Sequence, residues 1–228
     1  MAEGFPILQA MTTAIDRPRI FSSSVKANWR LCYHITLDDY HIAAVHPATF
    51  GKEAHIRRED IVYSRFGRHS SYHNSQNPKL ATDPSTLRDF ATLCREGRYR
   101  SDCHHIFQFF PNLIVSHARS DGAFWHCVIQ HYIPVAHDSS NMEAWVFRAP
   151  FEADHSWLAR WTRPVTDIVR NRLIDRTLRR LFREDNQVCE RLQSIARQTK
   201  SALLLGALEE RIAWFEEAYR TVVRTTDS

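Results

Sequence analysis

The sequence predicts an α+β fold. Two observations carry it: strand-forming runs fill the middle of the chain, and helical periodicity takes over after Pro164 and persists towards the C-terminus. Strands and helices in separate blocks place the helices on one face of an antiparallel sheet. The 228 residues can bury a full core, and no Gly/Ser-rich or Pro-rich linker divides them, so residues 1–228 read as one domain.

Taken in order, residues 1–27 are a lead-in whose end, Arg19 to Ala27, mixes β-branched and polar residues as a strand does. It feeds Asn28-Trp29-Arg30. From Leu37 the positions Leu37, His41, Ala44 and Val45 recur at spacings of four, three and one, which argues a short helix. Pro47 ends it, because the residue before proline is pushed out of the α region. Strands follow at Asp60–Phe66, Ile106–His117, Phe124–Val135 and Met142–Ala149. The polar stretch Ser70–Pro84 reads as a loop over a pocket. Asp121-Gly122 and Asp138-Ser139-Ser140-Asn141 are hairpin signals.

After Pro164, Val165, Ile168, Val169, Leu173, Thr177, Leu178, Leu181 and Phe182 recur at helical spacing. A second helix is expected over about residues 184–197, and a third carries Leu208, Ile212, Phe215, Tyr219 and Val222 on one stripe.

Composition narrows the function classes. Hydrophobic content of 43% and thirteen Phe exclude a disordered chain. The net charge of +4 is spread thinly, and basic residues such as Arg170, Arg172 and Arg176 to Arg180 interleave with apolar ones at helical spacing. That describes a solvated helix face rather than a nucleic-acid stripe, with an acidic redox protein as the alternative partner. No signal peptide and no run of eighteen apolar residues is visible, so no membrane is expected and the cytoplasm is the expected compartment. Five scattered cysteines in such a compartment are expected to remain thiols.

The chemistry concentrates around Asp38, His41 and His46. Asp38 and His41 are three apart and share a face if both are helical. His46 lies five residues on, about 140° around at 3.6 residues per turn, so it joins His41 only if the helix ends or distorts between them. A third ligand is sought among the helices. There Asp185 lies three, four and seven residues from Val188, Cys189 and Leu192, on the inward stripe, whereas Glu190 does not share that face. A carboxylate so placed costs several kcal/mol unless paired or metal-bound; helix capping is the equally weighted alternative. Two imidazoles and one carboxylate suit ferrous iron with open positions, and zinc also accepts them. The residues leave a zinc hydrolase and an iron oxygenase both open.

In four ordered blocks the chain resembles the catalytic domain of the Rieske-type ring-hydroxylating oxygenase α subunits. Asn28-Trp29-Arg30 is similar to that family's N-W-K, and Asp38-Asp39-Tyr40-His41 through His46-Pro47 to its D/E-x-Y-H-x-x-x-x-H-P. Phe110-Pro111-Asn112-Leu113 is similar to its F-P-N-L strand, and Glu184-Asp185 through Glu190 and Gln193 to its E-D-x-x-x-x-E-x-x-Q helix. The resemblance implies that His41, His46 and Asp185 ligate one Fe2+, and that Asp38 is the bridging acid towards a Rieske [2Fe-2S] cluster on a neighbouring subunit. It also implies a helix-grip (START-like) fold, a curved antiparallel sheet around a long C-terminal helix, with substrate between them.

Two departures stand out. His34-Ile35 occupies the place where many members carry Glu-Asn before the bridging acid. The C-x-H and C-x-x-H ligands of a Rieske domain are not both present: Cys32-Tyr33-His34 and Cys103-His104-His105 match the first, but nothing matches the second.

The expected activity is therefore that of an oxygenase component using O2 to hydroxylate, or oxidatively demethylate, an aromatic or similarly apolar small molecule. Phe109 and Phe110 are expected in the pocket. Electrons would come from a Rieske protein or ferredoxin with an NAD(P)H reductase. The resemblance implies a homo- or hetero-oligomer, trimeric in arrangement. The rival reading is a non-catalytic subunit or ligand-binding module that assembles with a full-length α subunit.

Overall fold

The computed structural model describes residues 18–46, 61–74, 92, 96, 104–120, 124–148, 157–198 and 204–226. Seven strands form one sheet: β1 (Arg19–Val25), β2 (Ile61–Phe66), β3 (His69–Asn74), β4 (His104–Phe109), β5 (Leu113–Ser120), β6 (Phe124–Ala136) and β7 (Ser139–Arg148). Their spatial order is β1-β7-β6-β5-β4-β3-β2, and every pairing is antiparallel. Strands β2 to β7 thus run as a meander, with β1 added on the β7 edge. The helices are α1 (Trp29–Ile35), α2 (His41–Val45), α3 (Trp157–Ala196) and α4 (Glu210–Thr226), with a 3-10 turn at Ala207–Glu209 before the last. This is the expected α+β architecture.

Alternation along the strands sorts side chains to two faces. Phe21, Val25, Ile114, Val128, Tyr132, Met142, Ala144 and Val146 form the helix-facing core with Leu178, Phe182 and Cys189 of α3 and Ile212 and Phe215 of α4. The other face carries a second buried cluster, Phe66, Phe107, Phe109, Val115 and Cys127. The second face is therefore buried at β2 and β4 to β6, whereas Ile20 on β1 is exposed.

Helix α1, which the sequence reading does not foresee, exists because Asn28 starts it. The Asn28 side-chain oxygen accepts the Arg30 amide at 2.9 Å, as an N-cap should. The same residue also gives its backbone N–H to Gln193 Oε1 at 2.8 Å and its Nδ2 to the His137 carbonyl at 2.6 Å. One asparagine thus joins α1 to α3 and to the β6–β7 turn. From the first turn Arg30 Nη2 reaches both oxygens of the buried Glu216 at 2.6 and 2.8 Å, and from the last turn His34 Nε2 adds 2.9 Å.

Several expectations are corrected. The strand expected over Ile106–His117 is two strands, because Phe110-Pro111-Asn112 turns the chain; Phe110–Pro111 is cis, and Asn112 Nδ2 donates to the Tyr132 carbonyl at 2.8 Å. The loop expected from Ser70 begins instead as β3, reached through a turn in which Gly67 adopts φ 62°, a conformation glycine allows without a Cβ clash. Ser139 to Asn141 belong to β7, so the turn before it is shorter than expected. The helices expected after Pro164 and over residues 184–197 are one 40-residue helix. No Gly or Pro lies between Val165 and Ala196 to break it. In its first half, Ile168, Val169 and Leu173 are exposed rather than inward. Pro47, Asp121-Gly122, Cys94 and Cys103 lie outside the described residues; Cys32, Cys127 and Cys189 are buried free thiols. Among the described residues no helix is long and apolar enough to cross a membrane.

Phe182 meets Phe21 edge-on at 5.8 Å between ring centroids, and truncating it leaves a cavity between α3 and β1. Phe182→Ala is expected to cost about 3–5 kcal/mol, read from the shift in a urea unfolding curve at unchanged slope. Glu216 offers a pH test. Burial alone would raise its pKa, but the His34 and Arg30 hydrogen bonds overcome burial and lower it from 4.5 to about 2. Between those pH values the unfolded chain binds more protons than the folded one, so stability falls as pH drops through the window. The Glu216→Gln protein should lack this acid limb in unfolding curves measured from pH 6 down to about pH 2.

Candidate metal centre

The chain leaves α1 at Thr36 and reaches α2 through Asp38, Asp39 and Tyr40. Asp38 Oδ1 accepts the Tyr40 amide at 2.7 Å, so Asp38 caps a turn and lies outside the helix. The expectation that Asp38 and His41 share a helix face is corrected: α2 starts only at His41. Their three-residue spacing works through the backbone instead. The Asp38 carbonyl faces His41 Nδ1 at hydrogen-bonding distance. A carbonyl can only accept, so Nδ1 carries the proton and Nε2 keeps its lone pair.

His46 follows the last residue of α2, at φ −114° and ψ 38°, outside helical values. Ending the helix at Val45 removes the rotation that would have carried His46 away from His41. Their ring centroids lie 5.4 Å apart at 77°. His46 is 2% exposed, and its Nδ1 gives its proton to Glu184 Oε2 at 2.9 Å. Both imidazoles are thus oriented by an oxygen on Nδ1, the arrangement that fixes tautomer and ring plane in histidine metal sites.

Asp185 arrives from the middle of α3, 28 residues beyond the helix start at Trp157, which removes the capping alternative. It shares the buried stripe Asp175, Leu178, Phe182, Asp185, Cys189, Gln193. Leu192, expected on that stripe, is 39% exposed. Asp185 Oδ1 lies 2.8 Å from His46 Nε2 and 3.7 Å from His41 Nε2. It is buried, and among the described residues these two imidazoles are the groups it meets.

The structure therefore brings His41, His46 and Asp185 together, with their ligand atoms within 4.8 Å of one another. Among the described residues no other group of His, Cys, Asp or Glu does this. The set fits a divalent transition metal: two imidazole nitrogens and one buried carboxylate oxygen converge.

The surroundings tune these groups. Burial opposes protonation of His46, but Asp185 and Glu184 outweigh it and raise its pKa. Burial likewise works against ionisation of Glu184, and the His46 and Arg180 contacts reverse this and lower its pKa. At Asp38, burial dominates and raises the pKa against the opposing pull of His41.

Of the other residues singled out, His34 points to Glu216 rather than to the metal cluster. Phe109 faces the opposite side of the sheet, and only Phe110 packs towards the helices, 5.8 Å from Phe215. Two contributors went unrecognised in the sequence. Glu184 was visible only as a letter of the helix motif, and Asp39 as a neighbour of Asp38. Asp39 is buried, with Arg211 Nη2 2.9 Å from each of its oxygens.

A family pattern described as the ring hydroxylating alpha subunit (catalytic domain) matches residues 12–225. The chain belongs to that family. Among solved structures it is similar to the quaternary ammonium Rieske monooxygenase CntA in complex with an inhibitor, with a TM-score of 0.56 and 15% identity over 93% of this chain and 52% of that one. It is also similar to NdmA of Pseudomonas putida with caffeine, with a TM-score of 0.55 and 14% identity over 89% of this chain and 52% of that one. At such identities the likeness shows the fold alone. The chain spans about half the length of these structures. No curated protein matches it. Membership in the ring-hydroxylating family implies a mononuclear non-haem iron.

Glu184→Gln keeps the shape but weakens the hold on His46 Nδ1–H. Divalent metal affinity is expected to fall about 10–100-fold, measured by chelator competition. Because the metal must displace a proton from the raised-pKa His46, wild-type affinity should rise with pH above the ordinary value of 6.5, with proton release detectable by calorimetry in buffers of different ionisation enthalpy.

Proposed function

We propose that His41, His46 and Asp185 hold one ferrous ion and that the protein is the oxygen-activating component of a Rieske-type oxygenase. The buried Asp185 Oδ1, 2.8 Å from His46 Nε2 and 3.7 Å from His41 Nε2, carries this reading. Family membership selects iron over zinc. When bound, iron with two nitrogens and one oxygen from protein supplies open positions at which O2 is activated beside a substrate. The chain's own residues do the remaining work. The Asp38 carbonyl and the Glu184 carboxylate keep each Nδ1 protonated, and the helix-facing core keeps bulk water from the inner side of the site.

Asp38 is the route by which electrons enter from a Rieske [2Fe-2S] centre on another polypeptide or subunit. Its carboxylate is partly exposed, next to the 49% exposed Tyr40 and one peptide from the ring of His41. The substrate is a small organic molecule oxidised by hydroxylation or oxidative demethylation. Aromatic ring dihydroxylation is one member of that class; the similar structures include proteins solved with L-carnitine and with caffeine. The protein functions in the cytoplasm as an oligomer, in which a neighbouring subunit or ferredoxin meets the Asp38 side.

Elemental analysis is expected to find about one iron per chain, and His41→Ala should lose it while remaining folded by circular dichroism. Supplied with a Rieske ferredoxin, its reductase and NADH, the iron-loaded protein should consume O2 in the presence of a substrate, and Asp38→Asn should cut that rate while retaining iron. Zinc as the only bound metal would refute the oxygenase. Iron without any turnover would favour the non-catalytic subunit.

A further inference from the structure

We propose that the turn entering α4, Gly206 to Arg211, is a clamp that sets the metal-ligating tautomer of His41, with Tyr63 and Arg211 as positioning residues. The inference rests on reading His41 as a ligand.

Its centre is a single peptide unit, the bond from Asp38 to Asp39. A trans peptide is planar, with its C=O and N–H pointing in opposite directions, so holding one end aims the other. The C=O end is the acceptor for His41 Nδ1–H. The N–H end, belonging to Asp39, donates to the Leu208 carbonyl at 3.3 Å. Leu208 lies in the 3-10 turn before α4, more than 160 residues away in sequence. The orientation of the His41 ring is thereby connected to the C-terminal helix through one rigid plane.

The surrounding side chains grip the same unit. Tyr63 from β2 donates its hydroxyl to Asp39 Oδ2 and also lies 3.3 Å from the Leu208 carbonyl. It therefore spans both partners of the N–H end. Arg211 holds both Asp39 oxygens from the first turn of α4, with its guanidinium 5.0 Å from the Tyr63 ring and 5.2 Å from the Tyr72 ring. Glycine at position 206 completes the contact: a Cβ there would lie 2.9 Å from the Tyr40 ring, so the turn can lie against the segment between Asp39 and His41.

Arg211 shows that stability is not the purpose. It is fully buried, and among the described residues its Nε and Nη1 have no hydrogen-bond partner. Burying a guanidinium with N–H groups left over is costly, and an apolar residue would fill the space at less cost. What the arginine does that an apolar residue cannot is hold a carboxylate in one place, one residue from the peptide that aims His41.

The test uses the full chain in metal-free and Co2+-loaded forms. Long-range proton–nitrogen NMR of the imidazoles reads the His41 tautomer without metal, and the visible spectrum of bound Co2+ reports the coordination geometry. Wild type should show Nδ1–H at His41. Tyr63→Phe and Asp39→Asn should mix in the Nε2–H form, alter the Co2+ spectrum and weaken Co2+ binding about 10-fold. Arg211→Lys should retain more of the wild-type pattern than Arg211→Met. Met142→Ala, which opens a cavity in the core at β7, serves as the comparison and should lower the melting temperature without moving tautomer or spectrum. Wild-type tautomer and spectrum in Tyr63→Phe would overturn the clamp, even if Asp39→Asn fails to fold. Failure of the wild type to bind Co2+ would instead count against the metal reading, and the tautomer comparison would still decide the clamp.

Discussion

A carboxylate buried in the middle of a long helix, with an oxygen that faces two imidazoles, is the constraint around which this structure is arranged. Asp185 sits on a buried stripe that packs Leu178, Phe182 and Cys189 against the sheet. A charge so placed destabilises the fold unless something positive meets it. Each neighbouring feature has a bearing on that meeting. Helix α2 is only five residues long, so that His46 can turn back beside His41. Glu184, one residue before Asp185, reaches the far side of the His46 ring. The same short stretch of α3 thus supplies both the ligand oxygen and the acceptor that orients one of its partners.

Holding α3 in register with the metal loop requires ties outside the site, and these join segments far apart in sequence. Asn28 bonds Gln193, and the Lys26 amide bonds Glu190 Oε1 at 3.0 Å, so the residues just before α1 are fixed two turns beyond Asp185. The far end of α1 is fixed to α4 by His34 on Glu216, which Arg30 also grips from the first turn. Helix α1 is therefore held at both ends before the chain enters Asp38. Positional precision at the site comes from this frame of polar ties laid over an apolar core, since burial alone is not directional.

The parts of the site that were legible in the sequence are those whose signal is local. The spacing of His41 and His46, the proline after them and the inward stripe around Asp185 are short-range patterns, and the structure brings all three residues together. The roles of Glu184 and Asp39 were not legible, because each depends on a partner in another element: His46 for one, Arg211 and Tyr63 for the other. The same distinction explains the errors in the fold. The turn at Pro111 was overlooked because the strands on either side continue the same β-forming composition, and the hairpin at Gly67 because β3, His69–Asn74, is polar enough to read as a loop. The exposed Ile168, Val169 and Leu173 show that helical spacing reveals an apolar face without saying whether anything covers it.

The α+β class and the order of strands before helices are legible in the sequence because periodicity is a property of neighbours along the chain; which three side chains converge was implied by the resemblance of its four blocks to the ring-hydroxylating family. Only the tertiary structure decided which nitrogen of each histidine faces Asp185, that Asp38 acts on His41 through its backbone, and that α3 is one unbroken helix. Those outcomes depend on hydrogen bonds closed between segments as many as 170 residues apart, and their geometry exists only once the sheet has brought the segments together.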